Sequence, residues 1–304
     1  MYSFTNIILT MRISHLLIFI VLGIMIGGCA PISTETVLDT SSVVYIENKG
    51  SDTIVNLALA WAERYQQIHP EVRISVTGGG SGTGISALIN GTVDIANASR
   101  QIKDEELQAA IDNGANPVEF VIARDAIAII VNHANPVNQL TLQQLSDIYS
   151  GRISNWTEVG GEDRPIVRLS RETNSGTHVY FLEFVLRLGD SNNETLFSPT
   201  TLLLPSSEGI TAEVRDNPNA IGYDGLGYVT RDVKVIAVAS SEDSPFVLPS
   251  ADTVNSAEYP IARDLYMYTF NEPAGAIRDY LEWILSPEAQ AIVTELGFVP
   301  VALP

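Results

Sequence analysis

Four short segments of this 304-residue chain place hydroxyl side chains or glycines where a strand would end and a helix or loop would begin. Gly50-Ser51-Asp52-Thr53 follows the β-rich Val43-Val44-Tyr45-Ile46. Gly78-Gly79-Gly80-Ser81-Gly82-Thr83-Gly84 follows the alternating Val72-Arg73-Ile74-Ser75-Val76. Asn97-Ala98-Ser99-Arg100 follows Val93–Ala96, and Arg171-Glu172-Thr173-Asn174-Ser175-Gly176-Thr177 follows the strand pattern 166–169. Backbone N–H groups at a helix start, together with the helix dipole, favour an anion. An arginine adds a planar fork that matches two oxygens at once. The chemistry on offer is the holding of an oxyanion. Each segment alone also reads as something plainer: a tight turn, an N-cap by Asn174 or Ser175, or a surface loop. Four together, all at the carboxyl ends of strands, mark where open α/β sheets bind ligands.

The glycine cluster fails the enzymatic motifs it superficially suggests. A dinucleotide fingerprint begun at Gly78 ends on Thr83, and one begun at Gly80 ends on Ile85. A P-loop needs a lysine, and none is present. A nucleophile elbow around Ser81 needs glycine at position 83. A phosphate-ester hydrolase using Ser81 or Ser175 would lack an evident general base. Of the four histidines, His15, His69, His133 and His178, none has metal-ligand spacing, and His178 reads as a solvated helix position, the alternative being a place lining the cleft after Thr177. No metal or cofactor is expected, and Trp61, Trp156 and Trp283 read as packing residues.

At the N-terminus, Arg12 precedes the apolar run 15–26, which ends in Gly27-Gly28-Cys29, the form of an export signal. Met11 offers a second start. Cys29 is the single cysteine, so no intramolecular disulfide can form. After Ile-Gly-Gly it resembles the lipidated cysteine of bacterial lipoproteins, the alternative being ordinary secretion with cleavage nearby. Residues 30–41 read as a tether. The net charge is −19, and removing the leader deletes only Arg12 among its charges. Such a surface repels nucleic acid and anionic lipid, so no nucleic-acid partner is expected.

The elements that must position these segments alternate. Apolar residues at Ile54, Leu57, Ala58, Trp61, Tyr65 and Ile68 predict a helix stopped by Pro70. Helices follow over 104–113 with Asp104 as cap, from the Thr141–Gln144 capping box toward Tyr149, over 175–188 and over 207–216, then 275–285 and 287–296. Strands are expected at 118–122, 126–131, 220–223, 233–238 and 265–269, with a loop over 240–260. The pattern is α/β with largely parallel sheets.

Several segments resemble the phosphate-binding lipoproteins of bacterial ABC phosphate importers. They are GSDT, GGGSGTGISALINGTVDIANASR and RETNSGT, then LTLQQLSDIYSGRISNW (140–156), NPNAIGY (217–223), YPIARDLYMY (259–268) and the closing SPEAQAIVTELGFVPV. The resemblance implies a two-lobed type II periplasmic-binding-protein fold, each lobe a mixed, mostly parallel sheet flanked by helices. The implied divisions are 1–29 signal and anchor, 30–41 tether, 42–123 with 236–304 as lobe 1, and 124–235 as lobe 2. Two hinge strands would cross near 122–126 and 231–236. It implies a monomeric, non-enzymatic receptor that hands inorganic phosphate to an ABC permease and meets the membrane only through lipid on Cys29. Its ligands would fall on Ser51, Thr53, Ser81, Ser99, Arg100, Arg171, Ser175, Gly176 and Thr177. Some relatives of this type carry an aspartate where Arg100 stands, as acceptor for a phosphate proton. Asp52 is the nearest substitute, and otherwise an ordinary helix-start carboxylate. Sulfate or molybdate as ligand, a hydrolase, and an adhesion protein on the same scaffold stay open at this stage.

Overall fold

The computed structural model describes residues 43–301. The leader, Cys29 and the tether lie outside them. Among the described residues, no helix is long and apolar enough to cross a membrane.

The N-terminal part builds a parallel ladder. β1 (Val44–Gly50) pairs with β2 (Val72–Thr77) on one side and β3 (Ile95–Ala98) on the other. The crossovers are α1 (Asp52–Ile68) and α2 (Ser81–Ile89). In α1 the residues Ile54, Leu57, Ala58, Trp61 and Tyr65 are buried, as the 3.6-residue spacing requires. They pack with Tyr280, Ile284 and Val293 from α8 (Gly275–Ile284) and α9 (Pro287–Glu295). The Trp61 indole donates to Ala289 O at 2.9 Å, a packing role. α3 (Asp104–Asp112) starts one residue earlier than expected: Lys103 is the cap, and its N–H donates to the Glu106 carboxylate.

β4 (Val118–Val131) departs from expectation. Two strands separated by Arg124-Asp125 were predicted, and one 14-residue strand is found. Its first part pairs antiparallel with β10 (Ala262–Thr269), which also pairs with β3. Its last part pairs with β8 (Ala220–Gly225) and β9 (Lys234–Ala239). The charged dyad is tolerated because β10 brings the same dyad in the opposite direction. Asp125 then faces Arg263, and Arg124 faces Asp264. Beyond Asp125 the run Ala126–Val131 is wholly buried, as a strand covered on both faces must be.

β8 continues to β6 (Val167–Arg171) and β7 (Leu202–Leu204), and β5 (Gln139–Thr141) pairs with β9. The helices on this half are α4 (Leu142–Ser150), α5 (Gly176–Tyr180, continuing as a π-turn through Leu186) and α6 (Ser207–Asp216). The Thr141–Gln144 capping box forms in both directions. Its core gathers Tyr149, Trp156, Phe181 and Tyr223.

The second hinge lies elsewhere than expected. Residues 234–236 pair with β4 at 129–131, and β9 continues along β5, so this strand belongs wholly to the second half. The return to the first half follows the segment 240–261, which contains the short helix α7 (Ala251–Asn255). There the Ile127 N–H donates to Ile261 O at 2.8 Å and the Tyr259 hydroxyl donates to Ile127 O at 2.7 Å. Both passages therefore lie side by side, at 126–127 and 259–262.

Candidate functional site

The four strand ends converge. Ser51 begins α1, with its N–H bonded to Asn97 O at 2.9 Å at the end of β3. Ser81 opens α2 after a glycine turn in which Gly79 (φ +125°) and Gly80 (φ +93°) occupy backbone regions that a side chain disfavours. Ser99 follows β3; its N–H donates to Ser81 Oγ at 3.0 Å, and the two hydroxyls lie 3.3 Å apart. From the other half, Ser175 caps α5 by accepting the Thr177 N–H at 3.2 Å. Thr177 Oγ1 meets Thr53 Oγ1 at 2.7 Å. A Cβ placed on Gly176 would lie 2.3 Å from Ser81 Oγ and 2.5 Å from Ser99 Oγ, so only glycine lets the backbone come this near. All seven residues are buried. Asn174 closes the rim: its carbonyl accepts Gly82 N–H at 3.1 Å and its amide donates to Gly79 O at 2.9 Å.

Arg171 ends β6 and is 1% exposed. Its Nη2 donates to Asp52 Oδ2 at 2.7 Å and Pro205 O at 2.8 Å, and its Nη1 to Ser207 Oγ at 2.9 Å. One Nη1 hydrogen has no protein partner. Asp52 uses its other oxygen to accept the Gly79 N–H at 2.8 Å. Both carboxylate oxygens are thus engaged, one by the glycine turn and one by the arginine across the cleft.

Arg100 differs from expectation. Its fork is closed on Glu106, with Nη1 at 2.8 Å and Nη2 at 2.6 Å from the two oxygens, and Nη1 also bonds Gln101 O. The Arg100 guanidinium in turn helps hold Glu106 below the usual glutamate range, against its burial. The two meet because α3 starts at once after the strand end and presents Glu106 one turn in. Arg100 borders a cavity of about 320 Å³ beside the site, shared with Tyr180, Arg263 and Tyr266.

Arg263 is a further buried cation beside the hydroxyl cluster, and sequence reasoning missed it. It joins three parts: Nη1 donates to Ser99 O at 2.8 Å, and Nη2 to Thr177 Oγ1 at 2.9 Å and Asp125 Oδ2 at 3.0 Å. Burial raises the Asp125 carboxyl, and Arg263 pulls it back only in part. The sequence holds five Arg-Asp dyads, and only the pairing of β4 with β10 shows that those at 124–125 and 263–264 complement each other. Ser207 and Asp224, which back Arg171, were also missed, because nothing in their spacing ties them to it.

His178 is buried rather than solvated. Its Nδ1 lies 3.0 Å from Ser170 Oγ, which lies 2.6 Å from the Tyr223 hydroxyl, and its ring stacks on Phe197. Burial lowers its pKa. It is tied into the core of the second half, and its ring hydrogen-bonds neither Ser81 nor Ser175. Among the described residues, no group of three His, Cys, Asp or Glu side chains could hold a metal ion.

Hydroxyls, helix-start amides and one buried arginine from both halves meet here, which are the kinds of donor that suit a small tetrahedral anion. Residues 35–288 match the family model described as a PBP superfamily domain. The chain belongs to the PBP superfamily. Similar PBP proteins include the phosphate-binding protein PstS of Pseudomonas aeruginosa, 34% identical over 84% of this chain and 82% of that protein. The PstS of Bacillus subtilis is 34% identical over 83% and 79%. Among solved PBP structures, a phosphate ABC transporter substrate-binding protein of Clostridium perfringens with bound phosphate gives a TM-score of 0.74 at 33% identity. It covers 85% of this chain and all of that one. An ABC-type phosphate transport receptor from Vibrio cholerae gives 0.68 at 32%, covering 84% and 100%.

Proposed function

We propose that this chain is an extracytoplasmic receptor that captures inorganic phosphate between its two sheet halves and delivers it to an ABC importer. The observation that carries the reading is the meeting of Thr53, Ser81 and Ser99 from one half with Arg171, Gly176 and Thr177 from the other. The PBP membership and the phosphate receptors it resembles support it. The ligand set is Ser51, Thr53, Ser81, Ser99, Arg171 and Ser175-Gly176-Thr177. Arg263 braces it from behind, while Arg100 holds α3 through Glu106. Asp52 serves to aim Arg171 rather than to accept a phosphate proton. The lobes run to about 126 and from about 262 in one case, and between those points in the other. Cys29 would carry the lipid that keeps a monomeric receptor at the membrane.

Energetically the set suffices. Charge-assisted hydrogen bonds contribute about 1.5–3 kcal/mol each and neutral ones about 0.5–1.5. The one free Arg171 N–H with five neutral donors therefore gives a gross of up to about 10 kcal/mol, against about 8.2 for micromolar binding. The test is isothermal titration of residues 30–304 with phosphate, sulfate and molybdate, alongside incubation with a chromogenic phosphate ester. Saturable binding of phosphate in preference to the other two, without ester turnover, is expected. Tighter sulfate binding, or turnover, would overturn the reading.

A further inference from the structure

Behind the hydroxyl cluster, two buried carboxylates lie on neighbouring strands where β4 passes between the halves. Asp125 has both oxygens engaged, by Arg263 and by the Leu226 N–H at 3.1 Å. Asp224 on β8 is held by one oxygen only. Its Oδ1 accepts from Ser207 Oγ at 2.8 Å and from Gly225 N–H at 2.8 Å, while Oδ2 is buried without any hydrogen-bond partner. The same Ser207 hydroxyl accepts from Arg171 Nη1. Asp224 thus stands two hydrogen bonds from the arginine that meets the ligand, and none of the ligand contacts uses it.

A bare carboxylate oxygen in such a place is costly, and a proton on it removes the charge. The groups facing Asp224 divide. Arg171 from β6 favours the ionised form and Asp125 from β4 opposes it. Arg263 on β10 is turned to Asp125. α6 presents the neutral Ser207, its Glu208 being exposed and bonded to Asn56. Tyr223 on the same strand and Tyr228 just beyond it are phenols raised by burial, and Asp52 already shares the Arg171 charge. Burial dominates, lifting the Asp224 carboxyl to about 7.

We propose that Asp224 takes up a proton when the anion is captured, the two events being coupled through Ser207 and Arg171. The inference rests on the receptor reading above. An anion arriving at Arg171 draws on the guanidinium that also favours ionised Asp224, and adds a second negative charge nearby. One proton then passes from the buffer to Oδ2, forming an O–H bond and neutralising the carboxylate; nothing else changes covalently. By linkage, protonated Asp224 tightens anion binding by the same factor. Asp224 is a positioning residue acting through Arg171, not a ligand contact.

Asp224→Asn keeps the Oδ1 acceptor and the shape but removes the charge. Its Kd for inorganic phosphate is compared with that of the wild type at about pH 6 and about pH 8.5, on either side of the carboxyl's range. Equal affinities are expected at the lower pH, with the variant about fivefold tighter at the higher. Titration near neutrality in buffers of different ionisation enthalpy adds a proton count. The variant should take up fewer protons than the wild type, phosphate's own ionisation cancelling in the difference. A variant-to-wild-type ratio that is the same at both pH values, as structural damage would give, overturns the coupling; so do equal proton counts. If the variant fails to fold, a carboxyl-carbon NMR titration of the wild type decides. One aspartate titrating near 7 and rising on addition of phosphate supports the coupling, and no aspartate titrating near neutrality refutes it. Wild type that binds no phosphate at all would instead remove the receptor reading beneath it.

Discussion

At the scale of single residues, Arg171 and Arg100 separate what arginine does here. Arg171 is buried with one Nη1 hydrogen lacking a protein partner, whereas both Nη atoms of Arg100 are bonded to Glu106 and its buried Nε is the atom without a partner. Truncating one partner of a buried charge contact costs about 2–5 kcal/mol. Arg171→Ala should therefore weaken phosphate binding by roughly 30-fold or more in a titration, while Arg100→Ala should change it by no more than a few-fold. Equal losses would return Arg100 to the ligand set. His178 carries a pH signature for stability. Its native pKa is lowered by burial, so the unfolded chain binds the proton more readily. Its contribution is present above the unfolded value of about 6.5 and is lost as pH falls from there through the lowered native value. Asp224 has the opposite sign. Its raised native value favours folding at low pH, and that contribution fades as pH rises from about 3.8 through about 7. Asp224→Asn should accordingly raise Tm relative to the wild type at pH above 7 and leave it unchanged near pH 4; a uniform shift would contradict the assignment.

At the scale of elements, the glycine turn and the β4–β10 ladder carry the site. Gly80 holds a positive φ, and an added Cβ would lie 2.8 Å from Asn174 O across the cleft. Gly80→Ala should cost about 1–3 kcal/mol of backbone strain and reduce phosphate affinity, read by thermal unfolding and titration together; unaltered affinity would show that the turn need not close on Asn174. Asp125→Asn leaves Arg263 buried without its countercharge, and a loss of about 3–5 kcal/mol in denaturant unfolding is expected. Much of this was legible in the sequence, because strand, turn and helix start are local. The spacing of α1, the Thr141 box and the hydroxyls at Ser51, Ser81 and Ser175 needed no knowledge of the rest. The less legible parts depend on pairing. The continuity of β4 through Arg124-Asp125 follows only once β10 lies beside it. The place of β9 is decided by β5, and the fate of Arg100 by a carboxylate on the next helix.

At the scale of the whole molecule, the two sheet halves share β4 and are joined by neighbouring passages at 126–127 and 259–262. On the proposed division into lobes, two adjacent strands flexing together would let one half swing against the other without breaking either core. The acidic surface, with a net charge of −19, does not oppose anion capture, because the buried site is governed by its own donors. The most direct measurement is a crystal structure of residues 30–304 grown with inorganic phosphate. The ion should lie within hydrogen-bonding distance of Thr53, Ser81, Arg171 and the Gly176–Thr177 amides, with Arg100 still on Glu106. A phosphate held by Arg100, or one bound away from the meeting of the four strand ends, would contradict the assignment.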